Sequence, residues 1–72
     1  MDKSIYTKEH SRLVEKLKSD RMEARLDQKD VAKLLHKTQS YVSKVESGQR
    51  KIDVFQLKSF AKIYKKSLDH YL

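Results

Sequence analysis

Residues 27–48 read DQKDVAKLLHKTQSYVSKVESG, and this stretch predicts two short helices joined by a tight turn. Asp27 is a suitable N-cap for the first helix, over about 28–35. The buried side of that helix is expected to come from its apolar residues, Val31, Ala32, Leu34 and Leu35. Thr38 is a natural N-cap for the second helix, over 39–47, which stops at Gly48 because glycine adopts positive φ at little cost.

The flanking sequence predicts further helices on both sides of this pair. Leu13 and Leu17 recur at helical spacing between Thr7 and Met22, where charged residues surround them. A fourth helix is predicted after Asp53, which forms a capping-box pattern with Gln56. Its apolar residues fall on one face, Leu57, Phe60, Ala61 and Tyr64. Ser67 begins the pattern of a last short helix that ends at Tyr71 and Leu72.

The fold class predicted by these patterns is all-α, a compact domain of five helices. The chain has no proline and one glycine, and no segment shows the alternation of apolar and polar residues that indicates strands. Its 72 residues suffice for one domain, and the absence of cysteine excludes disulfides and thiolate metal sites. We divide the chain into an N-terminal arm, residues 1–10, and a helical domain, residues 11–72.

The charge of the chain is strongly positive and unevenly distributed. The formal net charge is +7, and residues 49–66 contain six basic residues against Asp53 alone. A polyanion is the obvious partner for such a surface, although lysines that merely solvate helix faces would give the same composition. No apolar run approaches the roughly 18 residues of a membrane span, and the first residues lack the apolar core of a signal peptide. We therefore expect a soluble, cytoplasmic protein without a membrane partner.

The predicted helix over 39–47 has two chemically different sides. Val42 and Val45 lie on one side, with Tyr41 at its margin. The opposite side carries short polar residues, Gln39, Ser40, Ser43, Lys44 and Ser47. Residues 38–48 have no net charge, which fits a helix that contacts base edges while neighbouring segments bind phosphates. The alternative is that these are ordinary solvent-exposed side chains.

The pattern DQxxVAxxL at 27–35, followed by TQSxVSxVExGxR at 38–50, resembles the Xre or Cro/repressor helix-turn-helix family. The similarity covers residues 12–72 and implies five helices, with the second and third forming the motif. It also implies functional roles. The expected base-contacting residues are Gln39, Ser40, Ser43 and Lys44. The expected phosphate-contacting residues are Gln28, Ser47, Arg50 and Lys51. Arg21 and Glu46 occupy positions that often pair in this family, and we expect them to have a structural role.

Three turns depart from the pattern of the family. Its members often have glycine after helices one, two and four. This chain has Ala24-Arg25 after the first helix, His36 after the second and Lys65 after the fourth. A left-handed residue with a side chain costs about 1 kcal/mol compared with glycine. We therefore expect these departures to change the geometry of the turns more than the fold.

The function predicted by the resemblance is sequence-specific binding of double-stranded DNA by a repressor-like transcription regulator. A homodimer on an inverted-repeat site is expected, because one recognition helix reads few bases. An enzyme is not expected, since His10, His36 and His70 are scattered and no catalytic or metal-binding spacing is present. No cofactor and no metal are implied. The alternatives are a DNA-binding antitoxin, a protein-interaction module, or the DNA-binding part of a larger regulator.

Overall fold

The computed structural model describes residues 7–72, which form four α-helices and one short 3-10 helix. Their bounds are α1 Lys8–Glu23, α2 Gln28–Leu35, α3 Gln39–Glu46, α4 Val54–Tyr64 and a C-terminal 3-10 helix, Leu68–Tyr71. The all-α class is confirmed, and residues 7–72 contain no strand. The expected number of five α-helices is wrong, because the last element is a single 3-10 turn that has only four residues.

Residues 8–10, which we assigned to an N-terminal arm, are helical. Residues 1–6 lie outside the described part of the chain. Thr7 is the N-cap of α1, so Lys8 to His10 belong to the helix, and the His10 side chain is buried. Ser47, which we expected to end the third helix, is instead its C-cap.

Side-chain caps define the beginning of each α-helix. Thr7 and Thr38 each accept a hydrogen bond from the backbone N–H three residues later. Asp27 and Asp53 form capping boxes, in which the N3 side chains, Asp30 and Gln56, accept from the backbone of the cap in return. Each such cap contributes about 1 kcal/mol. The caps at Asp27, Thr38 and Asp53 are those that the sequence indicated, whereas the sequence left the cap of α1 open between Thr7 and Ser11.

The three turns without glycine keep a left-handed geometry. Arg25, His36 and Lys65 have φ values of 59°, 58° and 57°. Backbone hydrogen bonds close the turns after α2 and α4, from Lys37 N to the Ala32 carbonyl at 2.8 Å and from Lys66 N to the Ala61 carbonyl at 2.9 Å. These turns therefore have the hydrogen bonding of a glycine-terminated helix, on residues for which that conformation is unfavourable.

The core lies between the helices and is built from side chains of all four. Its largest fully buried members are Phe60, Leu17, Val31, Val42 and Val45. Burial of each such side chain stabilises the fold by about 1.5–3 kcal/mol. Val42 and Val45 anchor α3 in this core, which leaves the opposite side of that helix exposed. None of the helices within residues 7–72 has the length and apolar content that crossing a membrane requires.

The C-terminal 3-10 helix is held against α1 by a buried carboxylate. The Tyr71 hydroxyl donates to Asp20 Oδ2 at 2.6 Å, and His70 Nε2 lies 3.0 Å from the same oxygen. Lys16 Nζ donates to the His70 carbonyl at 2.7 Å. Burial raises the pKa of Tyr71 well above its ordinary value, so this phenol remains a donor. We call these four residues the C-terminal anchor.

Candidate nucleic-acid interface

The outer side of α3 presents the four residues that we expected to contact bases. Gln39, Ser40, Ser43 and Lys44 are all exposed. No hydrogen bond within residues 7–72 involves their side chains, whereas Val42 and Val45 on the opposite side are fully buried. We call these four residues the reading face. Its polar groups are therefore available to an external ligand without any loss of packing.

The C-terminal end of α3 is held by a largely buried ion pair between Arg21 and Glu46. Arg21 Nε donates to Glu46 Oε2 at 2.7 Å, and Arg21 Nη2 donates to Oε1 at 3.1 Å. The two side chains are 13% and 3% exposed. Arg21 Nη1 also donates to the Leu26 carbonyl at 2.9 Å. The hydrogen bonding to Glu46 raises the pKa of Arg21 further, so the guanidinium stays charged and connects α1, the following turn and α3.

Gln28 joins this ion pair, which the sequence did not indicate. Its Nε2 donates to Glu46 Oε1 at 3.2 Å, so the side chain that we expected to contact a phosphate already has a partner within the protein. We call Arg21, Glu46 and Gln28 the brace. An amide nitrogen has two N–H donors, and one donor of Gln28 is thus committed to the brace.

The N-terminus of α2 carries its own anion. The Asp27 carboxylate accepts from the backbone N–H of Asp30 at 2.8 Å, and this hydrogen bond lowers the pKa of Asp27. An incoming phosphate at this end of α2 would meet a carboxylate that is ionised at neutral pH. The Asp27 carboxylate therefore offsets part of the positive potential at this end of α2.

The loop after α3 is folded back against the end of that helix. The Lys44 carbonyl accepts from Gln49 N at 3.0 Å, from Arg50 N at 3.2 Å and from the Ser47 hydroxyl at 3.1 Å. Gly48 makes this turn possible with a φ of 82°, in the region that glycine adopts most easily. Ser47 and Lys51, both expected to contact phosphates, are exposed.

The structure brings the charged groups of Arg50 and Lys37 over the ring of one aromatic side chain, Tyr41. The Arg50 guanidinium carbon lies 4.9 Å from the centre of the Tyr41 ring, and Lys37 Nζ lies 5.5 Å from it. The Tyr41 ring stacks on Phe60 with centroids 6.3 Å apart and an interplanar angle of 12°. Lys37 was absent from our expected site residues, although its position directly before the α3 cap was a possible signal.

The cations around α3 are not neutralised by acidic side chains. The ion pairs within residues 7–72 are Arg21–Glu46, Lys66–Glu23 and His70–Asp20, and none of them includes Lys37, Lys44, Arg50 or Lys51. In the same range, no group of histidine and acidic residues is arranged to hold a metal ion. The interface thus combines a reading face that has one charged residue, Lys44, with further unpaired positive charges beside it, which suits a polyanion.

Comparison with known proteins supports this description of the motif. A family model described as helix-turn-helix matches residues 17–71, which include α2, α3 and the turn between them. No curated protein matches the chain. The matched range covers most of the sequence, and the chain therefore belongs to the Xre-type, Cro/repressor-like helix-turn-helix family of DNA-binding transcription regulators.

Proposed function

We propose that this protein is a sequence-specific, repressor-like regulator that places α3 in the major groove of double-stranded DNA. The observation that supports this proposal is the reading face, on which four polar side chains are exposed and free of intramolecular hydrogen bonds. A major groove about 12 Å wide admits an α-helix. A helix whose opposite side is anchored by Val42 and Val45 can enter it without rearrangement.

Each residue of the reading face has a suitable chemical role. Gln39 can form two hydrogen bonds with adenine N6 and N7, and Lys44 can donate to guanine O6 or N7. Ser40 and Ser43 have hydroxyls that donate or accept and so tolerate several bases. Phosphate contacts are assigned to Arg50, Lys51 and the second amide N–H of Gln28. Ser47 is assigned to a phosphate as well, which requires its hydroxyl to turn away from the Lys44 carbonyl.

We propose that the protein binds as a homodimer on an inverted repeat, with half-sites about one helical turn apart. One α3 contacts only a few base pairs, and two copies give a more selective site. The role is one of binding rather than catalysis, without a cofactor. A selected site that lacks an inverted repeat, with one protein per duplex in sedimentation, would contradict the dimer.

Selection from a random duplex library, followed by a binding scan of single-base substitutions, tests the reading face. Gln39→Ala should weaken binding to the preferred site by about 1–3 kcal/mol, with the loss concentrated at one base pair per half-site. The matched control is Gln49→Ala, because Gln49 is an exposed glutamine outside the reading face. If the Gln39→Ala protein folds normally and keeps its base preference, α3 is not the reading helix.

The second candidate function is that of an antitoxin or a protein-interaction module with the same fold. Large apolar side chains on the surface favour it, since Phe55 is 73% exposed and Leu34 is 56% exposed. Binding measurements distinguish these candidates. The purified chain alone should bind duplex DNA with a sequence preference if it is a regulator, whereas a protein-interaction module should not. A DNA-binding antitoxin would also bind DNA and is distinguished by a stable complex with a toxin.

A further inference from the structure

We propose that Lys37 and Arg50, held on the ring of Tyr41, form one binding site for a phosphate of the DNA backbone at the beginning of α3. This inference rests on the proposed function and extends it to a residue, Lys37, that neither the sequence pattern nor the resemblance indicated. We call these three residues the phosphate clamp.

The ring of Tyr41 is a fixed platform. It stacks nearly parallel on Phe60, which is itself fully buried in the core. Tyr41 lies in the first turn of α3, and its backbone N–H is bound by the Thr38 cap at 3.1 Å. The position of the ring is therefore set by both the core and the beginning of α3.

Two long cationic side chains converge on this platform from different parts of the chain. Lys37 comes from the turn before α3 and Arg50 from the loop after it, yet both charged groups lie within 6 Å of the ring centre. The attraction between a cation and the face of an aromatic ring favours this placement, and Arg also stacks on such rings. Neither cation forms an ion pair among the described residues, although the Asp53 carboxylate is near enough to raise the pKa of Tyr41 and so offsets part of their charge.

A backbone phosphate is the ligand that this arrangement suits. Lys and Arg are the side chains that most often neutralise phosphates, and phosphate contacts fix the register of a protein on the duplex. The Tyr41 hydroxyl is a third possible donor, because burial raises the pKa of this phenol and keeps it protonated. Tyr41 and Gln39 share the first turn of α3 on different sides of the helix, so a phosphate held by the clamp would fix the beginning of α3 on the duplex.

The first test is the salt dependence of binding to a duplex that contains the selected site and to an unrelated duplex. The double variant Lys37→Ala/Arg50→Ala should flatten the slope of log affinity against log salt by about 0.9, the value for one phosphate contact. Each single variant should flatten it by less, because the remaining cation still faces the phosphate. Lys33→Ala is the matched control, since Lys33 is an exposed lysine of α2 with no aromatic ring beside it among the described residues. A slope for the double variant equal to that of wild type or of Lys33→Ala would overturn the clamp.

The second test concerns the ring. In a Tyr41→Leu background both charges remain but the platform is lost, so Lys37→Ala should reduce affinity by a smaller factor than it does in wild type. Tyr41→Phe keeps the ring and should preserve the full effect of Lys37→Ala, which also provides a result if Tyr41→Leu does not fold. An equal effect of Lys37→Ala in all three backgrounds would show that the ring does not organise the site.

These outcomes are separable from those of the proposed function. If wild type fails to bind duplex DNA, the proposed function fails. If wild type binds with a base preference that depends on Gln39, and the removal of Lys37 and Arg50 leaves the salt slope unchanged, only the phosphate clamp fails.

Discussion

The brace and the reading face lie on two different sides of α3. Their polar groups differ in burial and in hydrogen bonding. In the brace, Glu46 is buried and accepts from both Arg21 and Gln28. On the reading face, Gln39 and Lys44 are exposed and have no hydrogen bonds within the described chain. The difference indicates that one side of α3 stabilises the fold and the other is reserved for a ligand. Variants of Glu46 should therefore change stability and variants of Gln39 should change DNA binding, whereas Gln28, which bonds to Glu46 and is assigned to a phosphate, should affect both.

The largest effect is expected at the brace. Glu46→Ala removes the partner of the Arg21 guanidinium, whose side chain is 13% exposed, and should lower the free energy of unfolding by up to about 3–5 kcal/mol, the cost of breaking a fully buried pair. For a domain of this size, each kcal/mol corresponds to about 4–8 °C in melting temperature, so thermal unfolding followed by circular dichroism measures it directly. As a control, the double variant Arg21→Met/Glu46→Leu removes both charges and should recover much of the loss. A loss below about 1 kcal/mol would mean that the brace does not stabilise the protein.

The C-terminal anchor should give the next largest effect. Asp20→Ala leaves the buried Tyr71 hydroxyl without its acceptor and should cost about 1–3 kcal/mol. Asp69→Ala is the matched control, because Asp69 is an exposed acidic residue of the same 3-10 helix. Chemical denaturation of the two variants compares them. Equal midpoints would show that the buried carboxylate contributes no more than a surface charge.

A change in the opposite direction is expected at a left-handed turn. Lys65→Gly relieves the strain of a side chain at φ 57° and should stabilise the protein by about 1 kcal/mol. Lys62→Gly, one turn earlier within α4, should destabilise it by about 1 kcal/mol, because glycine is unfavourable in a helix interior. The sign of the difference in melting temperature between these two variants is the measurement. Destabilisation by both would contradict the strain that we assign to Lys65.

The smallest effect on the fold is expected outside α3, at Lys51. Lys51→Ala should leave the melting temperature unchanged and flatten the salt dependence of DNA binding by about one unit. The preferred and unrelated duplexes should lose affinity equally, since a phosphate contact carries no base information. If the preference between duplexes fell while the salt slope remained, Lys51 would contact a base and would belong with the reading face.

Local signals made most of the fold predictable. The capping box of Asp27 and Asp30 located α2 at Gln28–Leu35, and Gly48 marked the turn after α3. The exposed side of α3 followed from helical spacing alone, because Val42 and Val45 identified the buried side.

The contacts that the sequence did not disclose join residues from different elements. Gln28 meets Glu46 eighteen positions later, and Tyr71 meets Asp20 across fifty-one. Hydrophobic spacing and capping rules describe neighbours along one helix, so they contain no information on such pairs. The sequence also could not predict the 3-10 geometry of the last turn, because a pattern of four residues is too short to distinguish a 3-10 helix from an α-helix.

The carbonyl oxygen of Lys44 accepts the hydrogen bonds that hold the loop after α3, which makes the side chain at this position exchangeable. Because Gln49 and Arg50 donate to a main-chain atom, the loop does not depend on which side chain stands at position 44. The same holds for Gln39, whose side chain makes no contact that the fold requires. Residues of the reading face can thus be exchanged as a set to redirect base preference, with the remaining chain serving as an unchanged scaffold.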